Sequence, residues 1–203
     1  MVPGRLIDKD PTVTVLKDSE DCYVRVKVIV DVSGCTTVDW DAQIPDDEND
    51  ENDENDGEGQ PPKTNLDKLA DIFVGKYIRY KNEKGDEMPD FNKVNWEVGS
   101  TPKVDSMAET VTYILNYQGG VAERVVAKAT TDTKLEPVFT HVYVPTNLDK
   151  TELAKLAGMK IKVVAEAIQA EGFTSDGTTT AEVNAWKAFD EQSSDDEQNQ
   201  DQQ

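Results

Sequence analysis

Alternation of apolar and polar residues at period two runs through most of the chain. In Cys22–Val32 (CYVRVKVIVDV), Val24, Val26, Val28, Val30 and Val32 fall on one face, while Arg25, Lys27 and Asp31 fall on the other. This predicts a half-buried antiparallel strand with a wet outer face. Pro11–Lys17 (PTVTVLK) is a shorter strand of the same kind. Lys76–Lys81 (KYIRYK) is a weaker one, with Tyr77, Arg79 and Lys81 as its outer row. Thr110–Tyr117 (TVTYILNY) sets Val111, Tyr113, Leu115 and Tyr117 on one face. Gln118-Gly119-Gly120 then predicts a turn into Val121–Ala129, which would make a hairpin. Val138–Val144 (VFTHVYV) is a further strand, closed by Pro145.

Period 3.6 replaces period two in three places. Asn65–Phe73 spaces Leu66, Leu69, Ala70 and Phe73 as one helical stripe. Asp149–Ala157 has Asp149 as cap and Glu152 three residues on, with Leu148 and Leu153 at staple positions and Gly158 as the stop. Thr179–Phe189 carries a similar Thr-x-x-Glu box, Thr179 and Glu182, with Val183, Trp186 and Phe189 as its apolar stripe.

The stretch IKVVAEAIQAEGF, residues 161–173, fits either pattern. Ala165–Glu171 has helical composition, but Ile161–Val164 is β-rich, and a helix starting just after Gly158 would lack a cap. An extended reading follows, with Ile161, Val163, Ala165 and Ala167 on one face and some burial of Val164 and Ile168 on the other. Many short strands with sparse helices predict a mainly β fold, an antiparallel β-sandwich with two or three short peripheral helices.

Composition adds two acidic appendages to this domain. The 203 residues carry a net charge of −20 and 36% hydrophobic residues, a low apolar share for a globular chain. Residues 46–58 hold nine acids and residues 190–203 hold six; the rest has 26 acids against 21 bases. The expected organisation is one domain over residues 1–189, with a disordered acidic insertion at 46–63 and a disordered acidic tail at 190–203. No apolar run exceeds three residues, which predicts no membrane span. No basic stripe offers phosphate contacts, so nucleic acid is not an expected partner.

Candidate chemistry is sparse. A zinc peptidase needs several ligands, whereas the chain has one histidine, His141, flanked on its strand face by Phe139 and Tyr143. His141 is read as a packing or surface residue. Cys22 and Cys35 are too far apart for a bridge: a continuous strand of this length covers roughly 33 Å at about 3.3 Å per residue, against the ~7 Å a disulfide allows. Those cysteines and Ser33 are read as structural. The repeated Asp-Glu-Asn of the insertion lacks EF-hand register and is read as a solvated spacer. Trp40 and Trp96 carry no ligand signal. No catalytic, cofactor-binding or metal-binding residue is expected.

Four stretches resemble the TasA/camelysin family of secreted bacterial proteins with SipW-type signal peptides. They are Val2-Pro3-Gly4 with Lys9-Asp10-Pro11 and Glu20–Val28; Phe91–Val98 (FNKVNWEV); Thr112–Gly120 with Leu135–Pro145; and Ala165–Ala170 with Gly172-Phe173 and Ala185-Trp186-Lys187-Ala188-Phe189. The resemblance covers most of residues 2–189. It implies a jelly-roll-like β-sandwich at the cell surface or in the extracellular matrix of a Gram-positive-type bacterium. It also implies a structural role in fibres or biofilm, built by strand exchange between subunits, with matrix or cell-surface proteins as further partners. A metalloendopeptidase, as in camelysin-like members, and a surface adhesin are the alternatives. Family precursors have a signal peptide and a first strand ahead of the Pro-Gly segment, which are expected to be missing here. Three inward apolar side chains in such a slot would contribute roughly 5–9 kcal/mol, comparable to whole-domain stability. An empty slot of that kind is expected to be either seriously destabilising or occupied by a strand from another chain.

Overall fold

Four valines at every second position, Val24, Val26, Val28 and Val30, make Cys22–Asp31 (β3) an interior strand of the larger sheet. The computed structural model describes residues 2–35, 63–119 and 124–200, with side chains to residue 193. On one side β3 pairs antiparallel with Lys160–Gln169 (β11), in a ten-residue register from Lys160 opposite Asp31 to Gln169 opposite Cys22. On the other it pairs with Thr110–Tyr117 (β8), from Arg25 opposite Asn116 to Asp31 opposite Thr110. The far side of β8 is shared end to end by Trp96–Val98 (β6) and Lys103–Asp105 (β7).

The second sheet is antiparallel and ordered Leu6–Asp8 (β1), His141–Tyr143 (β10), Ile78–Lys81 (β4), Glu87–Pro89 (β5). A two-stranded ribbon joins Thr14–Val15 (β2) to Thr133–Lys134 (β9). The two sheets share one core, formed by the β3 valines, Val111, Tyr113 and Leu115 from β8, Ile78 from β4, and Phe91, Trp96 and Phe139. The fold is thus mainly β, as the alternation predicts, and 161–169 is extended.

The first helix, Asn65–Tyr77 (α1), starts at Thr64, whose side chain and that of Asp67 form a reciprocal capping box. Leu69, Phe73 and Tyr77 bury in the core, where Phe73 stacks on Tyr77 and Tyr113. The expected helix ended at Phe73 and the expected strand began at Lys76. The observed helix runs on because Tyr77 continues its buried stripe, and β4 follows without a loop. Tyr77 is therefore a core residue, not part of an exposed row. Arg79 lies over the Tyr143 ring at 4.6 Å, and only Lys81 of that row is exposed. Far from peripheral, α1 is part of the core.

The second helix, Lys150–Lys155 (α2), has the predicted cap: Asp149 accepts from Thr151 and Glu152 N–H, and Glu152 reaches back to the Asp149 N–H. A 3-10 turn, Leu156–Gly158, leads into β11. Gly158 is needed less as a helix stop than for contact. A Cβ there would sit 1.9 Å from the Gly34 carbonyl oxygen, where the turn after β3 crosses the entry to β11.

The third helix, Ala181–Gln200 (α3), departs from expectation at both ends. Thr180, not Thr179, stands at its start and accepts from Val183 N–H. Thr179 is spent on Asp176 and Asn184. The helix also continues past residue 189 into the tail expected to be disordered, and Asp190, the first residue of that tail, is held by Arg25. Its buried stripe is Glu182, Ala185 and Trp186 with half-buried Phe189, and Val183 is exposed.

Two predicted strands shrink. Pro11–Lys17 keeps only Thr14–Val15, and Val138–Val144 keeps His141–Tyr143. The expected β8 hairpin does not form among the described residues. Both sides of β8 are already taken, and residue 126 bridges to Cys22 instead. The acidic insertion up to residue 62, Trp40, and the turn at 120–123 lie outside the described residues.

Candidate functional site

Ile161, Val163, Ala165 and Ala167 fall on one face of β11, and the strand stays extended because β3 offers a full-length partner. Among the described residues β3 is also its only strand partner. Every second backbone N–H and C=O of such an edge points away from the sheet, a template for another strand. The inner face of β11 is equally open. Ile161 and Val163 face a groove of ≈ 630 Å³, closed on the other side by Ile7 and Val142 and floored by Leu153 and Leu156. Further along, Ala165 and Ala167 face a second groove of ≈ 420 Å³ with Val13, Leu16 and Val24. Both alanines are exposed. The first groove thus lies between two edge strands, β1 and β11, one from each sheet, and the second between β11 and the Val13–Leu16 segment that holds β2.

The outer face of the same sheet is not wet at its centre, contrary to the alternation reading. Tyr23 is buried and Arg25 is only 3% exposed. The Arg25 Nε donates to Glu166 of β11 at 2.6 Å, Lys27 Nζ reaches the other Glu166 oxygen at 2.6 Å, and the guanidinium forks onto Asp190 of α3. The Trp186 and Phe189 rings lie over the guanidinium at 4.3 and 5.3 Å. Burial works against the charge on Arg25, but the bonds to Asp190 and Glu166 outweigh it and raise its pKa. The hydrogen bonds from Arg25 hold the Asp190 carboxyl below its ordinary range.

At its start α3 has a second polar tie. Glu182 is buried, which raises its pKa despite the opposing effect of Arg124. Arg124 bridges Glu182 at 3.3 Å and Glu97 of β6 at 2.5 Å. The Trp186 indole N–H faces Glu182 and favours its carboxylate, but makes no well-formed hydrogen bond.

A pH dependence follows from Asp190. Its folded pKa is depressed, so its stabilisation is present above the ordinary aspartate range and lost as pH falls through the folded value. Because its side chain is 53% exposed, Asp190→Asn should cost only about 0.2–1 kcal/mol at neutral pH. The gap between wild type and variant should close on acidification, as read by denaturant titrations across pH.

The residues weighed for chemistry take structural positions. His141 Nε2 lies 3.2 Å from Asp8 Oδ1 and Nδ1 lies 2.8 Å from Thr140 Oγ1, tying β10 to β1. Cys22 is buried and Cys35 half-buried, both as free thiols whose pKa burial raises. The Ser33 hydroxyl donates to Asp31 at 2.6 Å and closes the turn after β3. Trp96 is buried, with Nε1 donating to the Glu136 carbonyl at 2.9 Å. Among the described residues, no group of three or more His, Cys, Asp or Glu side chains could hold a metal ion. No helix there is long and apolar enough to cross a membrane.

What the sequence reading missed is the Arg25–Glu166–Asp190 cluster. A signal existed: once β11 is set antiparallel to β3, Arg25 falls directly opposite Glu166. The third member could not be found, because it needs the position of α3. Compared with known proteins, the chain matches no family model, no curated protein and no solved structure.

Proposed function

We propose that the protein is a structural subunit that self-associates by strand docking on β11. In this reading it is an extracellular, TasA-like, jelly-roll-like β-sandwich that builds fibres or matrix at the surface of a Gram-positive-type bacterium. The observation that carries the proposal is the ten-residue β11, which has a single strand partner among the described residues and apolar grooves along its inner face. An incoming strand would find backbone partners on β11 and seats for alternate side chains, large at Ile161–Val163 and small at Ala165–Ala167. Each well-buried apolar side chain would add about 1.5–3 kcal/mol, enough for a few of them to hold two subunits together. The strong negative charge of the chain would keep unassembled subunits apart in solution.

Ala165→Lys tests this directly. The position is exposed, so the monomer should lose less than about 0.5 kcal/mol, while the added side chain blocks the groove. Sedimentation velocity across a concentration series should show association of the wild type and at least a tenfold weaker association of the variant. A wild-type chain that stays monomeric at the highest concentrations, or a variant that associates equally well, would sink the proposal. The metalloendopeptidase alternative gains no support from any side-chain arrangement among the described residues.

A further inference from the structure

Of the described residues, two charged side chains are buried, Arg25 and Glu182, and both lie where α3 meets the larger sheet. Buried charges are costly unless paired, and removing one partner is costlier still. The apolar part of that contact is small and separate from the main core: Tyr23, Ala185 and Trp186, with partly buried Ile168, Ala170, Phe173 and Phe189 around them. A helix held by paired charges over a small satellite cluster forms a unit that opens at lower free energy than the sheets beneath it. The pairing is also shared in a particular way. Glu166, near the middle of β11, accepts from Arg25 and Lys27, and Arg25 is in turn gripped by Asp190, Trp186 and Phe189 of α3.

We infer that α3 is a clasp that orders the docking edge: seated on Arg25 it fixes β11 in register, and released it lets that edge loosen. This rests on the reading of β11 as the docking edge, and adds its regulation. The outer face of β11 would carry the control and its inner face the seat, coupled through Glu166. An edge strand already held straight is a better template than one that must be ordered on contact, since ordering entropy is then paid beforehand. Release of α3 would therefore weaken docking without unfolding the sheets.

Hydrogen exchange of the full-length monomer at low concentration tests the coupling apart from assembly. The variants are Arg25→Met, which removes the shared cation, and Asp190→Asn, which changes only a half-exposed side chain on α3 and keeps the sheet intact. Amides of Ala181–Phe189 should exchange at least tenfold faster in Arg25→Met and about two- to fivefold faster in Asp190→Asn, those of β11 should also exchange faster in both, and β8 should stay unchanged. Faster α3 with unchanged β11 would overturn the clasp, as would equal acceleration of β8, which would make α3 part of the global core. In sedimentation, Asp190→Asn should also raise the concentration at which association begins. Coupled exchange in a chain that never associates would leave the clasp standing and remove the docking reading. Association that Asp190→Asn leaves unaltered would remove the clasp alone.

Discussion

Phe73→Ala is expected to lower stability by about 3–5 kcal/mol, the range for emptying a fully buried aromatic site. Phe73 has no exposed surface and lies between the Tyr77 and Tyr113 rings, with centroids at 5.7 and 5.8 Å. Those neighbours cannot close the gap easily. Tyr113 is fixed by its hydroxyl, which donates to the Ala70 carbonyl at 2.8 Å, and Tyr77 ends α1 just where β4 begins. The loss would thus combine transfer of a large apolar side chain with a persistent cavity. Urea denaturation followed by far-UV circular dichroism would measure it. A cost below about 1 kcal/mol would mean that α1 packs on the sheets far more loosely than its burial indicates.

Gly158→Ala should be nearly as damaging, although it adds one carbon. The new Cβ would stand 1.9 Å from the Gly34 carbonyl oxygen and 2.9 Å from the Cys35 nitrogen. Both are backbone atoms, so no rotamer change relieves the clash. The entry to β11 or the turn after β3 has to move. Overpacking of this kind costs about 1–3 kcal/mol, and a backbone clash belongs at the upper end. Gly172→Ala is the informative control, since its added carbon meets nothing within 4 Å and only its φ of +93° resists. That should cost about 1–2 kcal/mol. If the two variants are equally stable, the close crossing of Gly34 and Gly158 is not a constraint on the fold.

The two substitutions probe opposite ends of the same dependence. Phe73 was legible in the sequence as an apolar position of a helical stripe, and so was its burial. Gly158 was legible only as a stop signal; the crossing that demands it joins residues more than a hundred positions apart. The same division holds at the candidate site. Ile161, Val163, Ala165 and Ala167 were assigned to one strand face from alternation alone, and the register against β3 keeps them there. That Ala165 and Ala167 are uncovered depends on which strands flank them. Arg25 shows the converse: local alternation puts it on a solvent face, yet α3 buries it.

By itself the sequence determined the mainly β character, the extended state of 161–169, the span of β8 and the capped start of α2. Each of these follows from side-chain period or from hydrogen bonds among neighbours a few residues apart. Tertiary structure decided the rest: the loss of the β8 hairpin, the extension of α1 to Tyr77, the burial of Arg25 under α3 and the open side between β1 and β11. These outcomes are set by competition for strand edges and sheet faces among distant segments. A local pattern states which face a residue prefers, and only the assembled chain fixes what lies across from it.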